Sequence, residues 1–300
     1  MIIYKKINIR KNFRKSVLAI GNFDGLHLGH QKVLKQAKEE AKKNKLKFGV
    51  MTFEPVPVMF FNKKIKNHRI NNLEQKIAGL KKMKVDFLII IKFNKKFSNL
   101  SSHEFIEKIL YRNLNIKYLF ISKNFKFGRN REGDVKKLKL YEKKYNFKTL
   151  VSEPLKKNGK VLSSSTIRKL LSKGMVTKSN NILGRNWCIE GKVIKGEQRG
   201  RKIGFPTCNV KINNYVKPKL GVYSVLVETY NFKRKGIANL GYRPTFNGQS
   251  LLLEVNIFGI KLNLYKKIIK IKFVKFIRKE KKFRSIIELK EQIKQDIKKV

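Results

Sequence analysis

An α/β fold is predicted for the first part of this 300-residue chain. It takes the form of a doubly wound parallel sheet, followed by a small antiparallel β-barrel and a C-terminal helix. Three observations predict it. Apolar runs alternate with stretches of helical spacing up to residue 180, the pattern of strands covered by helices on both faces. Beyond that, helical periodicity stops. Short strands dominate there, punctuated by Gly200, Gly204, Pro206, Pro218, Gly221, Gly241 and Pro244, as in a small barrel. The chain then closes on Ile286, Leu289, Ile293 and Ile297, one apolar stripe at helical spacing.

Taken in order, the strands of the first half are expected at 17–20, 47–53, 86–91, 117–122 and 149–152, with helices at 30–43, 72–84, 102–112 and 134–145. Ser101 and Glu104 have the spacing of a capping box. The second-half strands are expected at 188–194, 207–212, 222–230, 235–240, 251–258 and 267–277. Ser285 and Glu288 have capping-box spacing ahead of the final helix, whose stripe is expected to pack on the barrel. The two domains are expected at 1–180 and 181–300, joined by a linker at 173–181.

Composition narrows the classes. With 41% hydrophobic residues the chain can build cores, which argues against disorder. No apolar run is long enough to cross a bilayer, and residues 1–14 lack a signal-peptide core. Cys188 and Cys208 form neither a disulfide framework nor a metal spacing. A cytoplasmic protein without a membrane role is the expectation. The net charge of +52 comes from 72 Lys plus Arg against 20 Asp plus Glu. Those bases are spread along the chain, with no nucleic-acid-binding signature. AT-rich composition therefore accounts for them better than a built nucleic-acid surface, leaving at most nonspecific attraction.

The most informative segment runs from Gly21 through Asn22, Phe23, Asp24, Gly25, Leu26, His27, Leu28, Gly29 and His30. It lies between a buried strand and a helix carrying Val33, Leu34, Ala37 and Ala41. Its glycines permit close backbone approach, and a helix start presents free N–H groups to an anion. Two imidazoles at i and i+3 can reach one phosphate. The His-x-Gly-His pattern is similar to that of the nucleotidyltransferase superfamily, whose Rossmann-like fold this implies.

Two further segments extend that reading. Asn124, Phe125, Phe127, Gly128, Arg131 and Asp134 follow a strand and offer an amide beside aromatic faces. Ser163, Ser164 and Arg168 open a helix, where hydroxyls, N–H groups and a guanidinium suit a phosphate tail. With Thr52-Phe53-Glu54-Pro55 between them, these segments occur in the order of the adenylyltransferase module of the bacterial bifunctional riboflavin kinase/FMN adenylyltransferase family. The resemblance runs from Ile20 to Arg168. It implies that His27 and His30 contact ATP phosphates, and that Gly21, Asn22, Phe23, Asp24 and Gly29 line the nucleotide. Ser163, Ser164 and Arg168 would hold its triphosphate, and Asn124, Phe125, Phe127 and Arg131 the flavin. Met59, Asn124 and Thr166 depart from the family's usual residues.

The second half carries Gly200 to Asn209, with no Walker-type loop. Thr207 and Asn209 alternate along a starting strand and so share a face; their oxygens are hard ligands suited to Mg²⁺. Glu254 lies in an alternating strand, where a carboxylate beside a phosphate site can take a proton from a hydroxyl. Together with Gly221-Val222-Tyr223, Asn239-Leu240-Gly241 and Arg278, these segments resemble the riboflavin kinase module in order, from Leu183 onward. The resemblance implies that Thr207 and Asn209 hold Mg²⁺ with ATP near Gly204, that Glu254 is the base, and that Arg278 serves the flavin side. The implied chemistry is phosphorylation of riboflavin to FMN, then adenylylation of FMN to FAD with release of pyrophosphate. A class I aminoacyl-tRNA synthetase relative would require a Lys-Met-Ser-Lys-Ser-type loop, which is missing. A nonenzymatic RNA-binding protein would not require these ordered motifs.

Overall fold

The computed structural model describes residues 1–65, 67–196, 199–212, 214–245, 248–260 and 262–300. They pack as two compact units, Met1–Lys66 with Leu73–Leu162, and Asn67–Asn72 with Ser163–Val300.

In the first unit the strands are β1 (Ile2–Tyr4), β2 (Val17–Ile20), β3 (Phe48–Glu54), β4 (Phe87–Lys92), β5 (Tyr118–Ser122) and β6 (Lys148–Ser152). They pair in parallel in the order β1-β4-β3-β2-β5-β6. The central runs, β2 to β5, are mostly apolar because both faces are covered. Leu18 and Ile20 join Met51, Phe87 and Leu119 in one core, while Val17 and Ala19 join Phe48, Val50 and Leu34 of helix Leu28–Lys43 in the other. The chain builds outward from β2 through β3 to β4, then returns to lay β5 on the other side of β2. A ligand crevice in such a sheet lies at the strands' carboxyl ends where the order reverses, here between the loops that follow β2 and β5.

Helix Leu73–Lys82 covers one crossover. The capping box at Ser101 forms in both directions. The helix expected at 102–112 continues from Ser102–Glu104 as a π-helix, Phe105–Asn113. The helix expected at 134–145 divides into Val135–Leu140 and Glu142–Tyr145. The edge strand β1 is an addition: at three residues it has no periodicity to read. A short hairpin, β7 (Lys156–Lys157) with β8 (Lys160–Val161), follows β6.

The second unit is a closed antiparallel barrel. Its strands are β9 (Trp187–Ile194), β10 (Cys208–Lys211), β11 (Gly221–Glu228), β12 (Lys233–Thr245), β13 (Gly248–Ile257) and β14 (Ile268–Arg278), in the order β10-β13-β12-β11-β14-β9. Trp187, Tyr223, Val225, Ala238, Leu240, Leu253, Val255 and Phe273 are buried together. Period-two alternation sends the neighbours of these core residues to the outer wall.

Two expectations are corrected here. The stretch 173–181 is not a linker: helix Val176–Leu183 occupies most of it, ended by Gly184 at φ 70°. Val176 and Leu183 are buried with the barrel core, and Asn180 accepts from Trp187 N (2.8 Å) and donates to Phe273 O (2.9 Å). Helix Ser164–Ser172 sends Ile167 and Leu171 into the same core, and Ile70 O accepts from Trp187 Nε1 at 2.8 Å. The packing division therefore precedes Ser163.

The final helix, Ile286–Ile297, is capped by Ser285 as expected, but its apolar stripe is not core. Ile286 is 61% exposed, and with Leu289 and Ile293 it faces a cavity. An ion pair ties the helix to the barrel instead: Arg278 Nη2 and Nε lie 2.8 and 2.9 Å from Asp296 Oδ2, and Asp296 is the helix's one buried residue.

Breaking a buried pair leaves an uncompensated charge and costs about 3 kcal/mol or more. Asp296→Ala should lower the stability of the second unit by about that amount. Urea unfolding followed through Trp187, the only tryptophan, reports it. An unchanged midpoint would show that other contacts hold the helix.

Candidate functional sites

In the first unit the chain leaves β2 through a tight turn. Phe23, Gly25 and Leu26 all have positive φ, which is costly for the two non-glycine residues and marks a built turn. The Thr52 hydroxyl holds it by donating to Asn22 O at 3.1 Å, and the buried Lys76 ammonium donates to Thr52 Oγ1 at 3.2 Å. His27 caps helix Leu28–Lys43, its Nδ1 accepting from His30 N at 3.4 Å. The two imidazoles stack with centroids 3.7 Å apart, and the Phe23 ring meets His30 edge-on. A Cβ at Gly29 would come within 3.0 Å of His27 Cε1 and 3.3 Å of Leu162 O. Glycine there lets the histidine pair keep its geometry. The result is two imidazoles over the positive end of a helix dipole, at the reversal of strand order.

The loop after β5 forms the other wall of that crevice. Asn124 and Arg131 are exposed, and Phe125 is half-buried. Phe127, expected to offer an open aromatic face, belongs to the core instead. It stacks on Phe125 (5.6 Å between centroids) and packs on Phe105, and Gly133 is pressed so closely against its ring that a Cβ would come within 2.7 Å. The loop is strapped to the helix start at Ser102, where the Glu132 carboxylate accepts from Ser102 N at 2.6 Å, and Asp134 caps the next helix by accepting from Lys137 N. These backbone N–H groups hold both carboxyls below their usual range.

Two features here were not singled out from the sequence. Lys76 is one lysine among very many, and nothing in its spacing marks it. Phe61 is 69% exposed beside Phe60 and Phe93, with ring centroids 5.2 and 5.7 Å away. Its exposure follows from the short helix Pro57–Phe61 after β3.

Ser163, Ser164 and Arg168 belong to the second compact unit. Ser163 Oγ accepts from Thr166 N at 3.1 Å as the cap of its helix, Ser164 is the first helical residue, and Arg168 Nε donates to His68 O at 2.8 Å.

On the barrel, strand register assembles the second site. Asn209 lies opposite Glu254, Glu254 opposite Asn239, Asn239 opposite Val222, and Val222 opposite Arg278, across β10, β13, β12, β11 and β14. Directly opposed residues share a face, and this row lies on the outer wall. A cavity of about 970 Å³ covers the row from Glu254 to Arg278, lined by Thr207, Asn239, Glu254 and Arg278 and by Phe283, Ile286, Leu289 and Ile293. A second cavity of about 520 Å³ is lined by Arg201, Cys208, Asn263 and Tyr265, and Thr207 lines both. Asn256 Nδ2 donates to Pro206 O at 2.7 Å and so fixes the turn before Thr207. Gly204 adopts φ 87° in that turn. Burial pushes the Cys208 thiol up, which suits an inert neighbour rather than a nucleophile.

The Asn209 amide oxygen is buried without a hydrogen-bond partner among the described residues. A hard oxygen left in this way, two residues beyond Thr207, fits a Mg²⁺ ion held mainly by phosphates and water. No cluster of three His, Cys, Asp or Glu occurs among the described residues to hold a metal otherwise.

Comparison with known proteins agrees with this two-site arrangement. A family model described as FAD synthetase matches residues 9–166, and one described as riboflavin kinase matches residues 183–300. The chain belongs to the bifunctional riboflavin kinase/FMN adenylyltransferase family. Relatives of that name include one from Buchnera aphidicola subsp. Schizaphis graminum, 40% identical over 97% of this chain and 94% of its own. Another, from Bacillus subtilis, is 40% identical over 96% of this chain and 92% of its own. The Escherichia coli K12 relative is 36% identical over 93% and 90%. A crystal structure named as a macrolide-efflux protein from Streptococcus pneumoniae matches with a TM-score of 0.87 at 29% identity, covering 99% of this chain and 97% of that one. That name stays with that protein; among the described residues here no helix is long and apolar enough to cross a membrane.

Within the adenylyltransferase unit, the Glu132 strap makes a pH-dependent prediction. A lowered folded value means that its stabilisation is complete above the ordinary carboxylate range and is lost as pH falls through the lowered value. Glu132→Gln should loosen the loop at neutral pH, raising hydrogen exchange at the Ser102 amide severalfold. In the native chain the same increase should appear only in acid. Equal exchange in both proteins at pH 7 would remove the strap from consideration.

Proposed function

We propose that the barrel unit phosphorylates riboflavin and the sheet unit adenylylates the FMN produced, with functional domains at 1–180 and 181–300. The single observation carrying the kinase reading is the pair Glu254–Asn239 beneath a mixed polar and apolar cavity, with Asn209 opposite Glu254 and Thr207 shared by a second cavity. The larger cavity takes the flavin: Phe283, Ile286 and Leu289 offer an apolar wall for a fused ring, and Glu254 and Asn239 a polar floor for its chain. The smaller takes the nucleotide, whose phosphates reach Thr207 and the Gly204 turn. Thr207 and Asn209 hold Mg²⁺, which supplies charge neutralisation on the transferring phosphate. Glu254 accepts the proton of the terminal hydroxyl as its oxygen bonds to the γ-phosphorus and ADP leaves. Arg278 acts by anchoring the C-terminal helix through Asp296, forming the cavity's far wall.

In the sheet unit, a phosphate oxygen of FMN bonds to the α-phosphorus of ATP as the bond to pyrophosphate breaks. No protein nucleophile is required. His27, His30 and the N–H groups from Gly29 onward stabilise the charge that develops, and Gly21 to Asp24 shape the turn around the nucleotide. Asn124, Arg131, Phe125 and the exposed Phe61 serve the flavin, with Phe127 supporting Phe125 from beneath. The protein works in the cytoplasm.

The test is a chromatographic assay with riboflavin, ATP and Mg²⁺. The native chain should yield FMN and then FAD. His27→Ala should reduce FAD formation on the order of 100-fold or more, the loss typical of a group acting on transition-state charge, while FMN accumulates. Glu254→Ala should stop FMN formation, yet FAD should still form when FMN is supplied. Loss of FMN formation in the histidine variant, or loss of FAD formation from supplied FMN in the glutamate variant, would contradict separate sites. No flavin product from the folded native chain would overturn the reading.

A further inference from the structure

Asn239 stands in the outer-wall row one strand beyond Glu254, on the side away from Asn209. Its amide oxygen is buried and has no hydrogen-bond partner among the described residues, yet the residue lines the larger cavity. An acceptor shielded from water without a donor is costly, and a ligand that supplies one gains by it. The row has a chemical direction. The Asn209 end is the strand that starts at Cys208, which lines the smaller cavity together with Thr207 just before it, Glu254 is central, and beyond Asn239 comes apolar Val222. A molecule lying along it would meet phosphate, base, hydrogen-bond acceptor and apolar wall in that order.

We propose that Asn239 is a specificity-determining residue of the kinase site: its Oδ1 accepts a hydrogen bond from the substrate hydroxyl vicinal to the one that reacts at Glu254. This rests on the kinase reading above. Opposed residues on neighbouring strands have Cβ atoms about 5 Å apart, a spacing that suits two adjacent hydroxyls of one polyol chain. The acceptor atom selects a hydroxyl over an ether, a carbonyl or a methylene, because only the hydroxyl can donate. A site built in this way rejects the deoxy analogue, since the analogue leaves the buried oxygen unmatched.

The experiment compares phosphorylation of riboflavin with that of an analogue lacking the hydroxyl next to the terminal one. The native enzyme should favour riboflavin in kcat/KM on the order of 100-fold. Asn239→Leu should lower kcat/KM for riboflavin by about that factor, leave the analogue nearly unchanged, and so bring the ratio close to one. Asn239→Asp, which keeps an acceptor, should retain the preference. Adenylylation of supplied FMN and Trp187 fluorescence report that each variant is folded. Asn239→Ala, which adds no bulk, replaces the leucine variant if that one does not fold. As a measurement independent of turnover, the leucine or alanine variant should bind riboflavin more weakly but bind lumichrome, which lacks the chain, as the native enzyme does. A preference for riboflavin that survives both apolar variants, or an altered Mg²⁺ requirement in place of an altered substrate preference, overturns the inference alone. Absence of riboflavin phosphorylation by the native enzyme overturns the kinase reading, and the inference with it.

Discussion

The period-two alternation of the barrel strands is the constraint on which the second half of the molecule depends. Leu253, Val255, Ala238 and Leu240 point inward and form the core, so Glu254 and Asn239 must point outward. The same hydrogen-bonded register that closes the barrel aligns Asn209, Glu254 and Asn239 side by side. A slip of one residue would bury the carboxylate in the core and expose the leucines. Core stability and chemical alignment therefore cannot vary independently. The site stands on strands, while its far wall is a helix tied to the barrel by the Arg278–Asp296 ion pair.

The first half solves a similar problem differently. Its strands are apolar on both faces and carry no chemistry themselves. A ligand crevice in such a sheet lies among the loops at the carboxyl edge, where the strand order reverses. Those loops are held by specific devices: three positive-φ residues, the Lys76–Thr52–Asn22 chain, the His27 cap and the Glu132 strap. The hydrogen-bonded devices among them each satisfy a backbone group: Asn22 O, His30 N and Ser102 N.

The charge imbalance makes every carboxylate informative. With 20 acids against 72 bases, there are few to spend on the surface. Several sit where the backbone needs an acceptor: Glu104, Glu132, Asp134 and Glu288 each take an N–H near a helix start, and the Glu104 carboxyl, beside Lys108, is lowered to about 2. Asp296 is buried against Arg278. Glu254 stands apart, on a strand wall beneath a cavity.

The sequence by itself determined the local structure around the candidate sites. Gly21 to His30 reads as a strand–turn–helix, and Asn209 and Glu254 read as positions of alternating strands, because turn chemistry and strand periodicity act between near neighbours. The long, strongly periodic elements were legible for the same reason. Tertiary structure alone decided what depends on distant partners. It turned the stripe of Ile286, Leu289 and Ile293 from core into cavity wall, since helical spacing shows an apolar face but not what lies opposite. It drew Ile70, Ile167 and Leu171 into the barrel core and made 173–181 mostly helix, since Trp187 and Asn180 supply bonds that no local pattern encodes. It buried Phe127 and Lys76. Most of all, it brought Asn239 beside Glu254, because register across strands is a long-range agreement that neither segment carries alone.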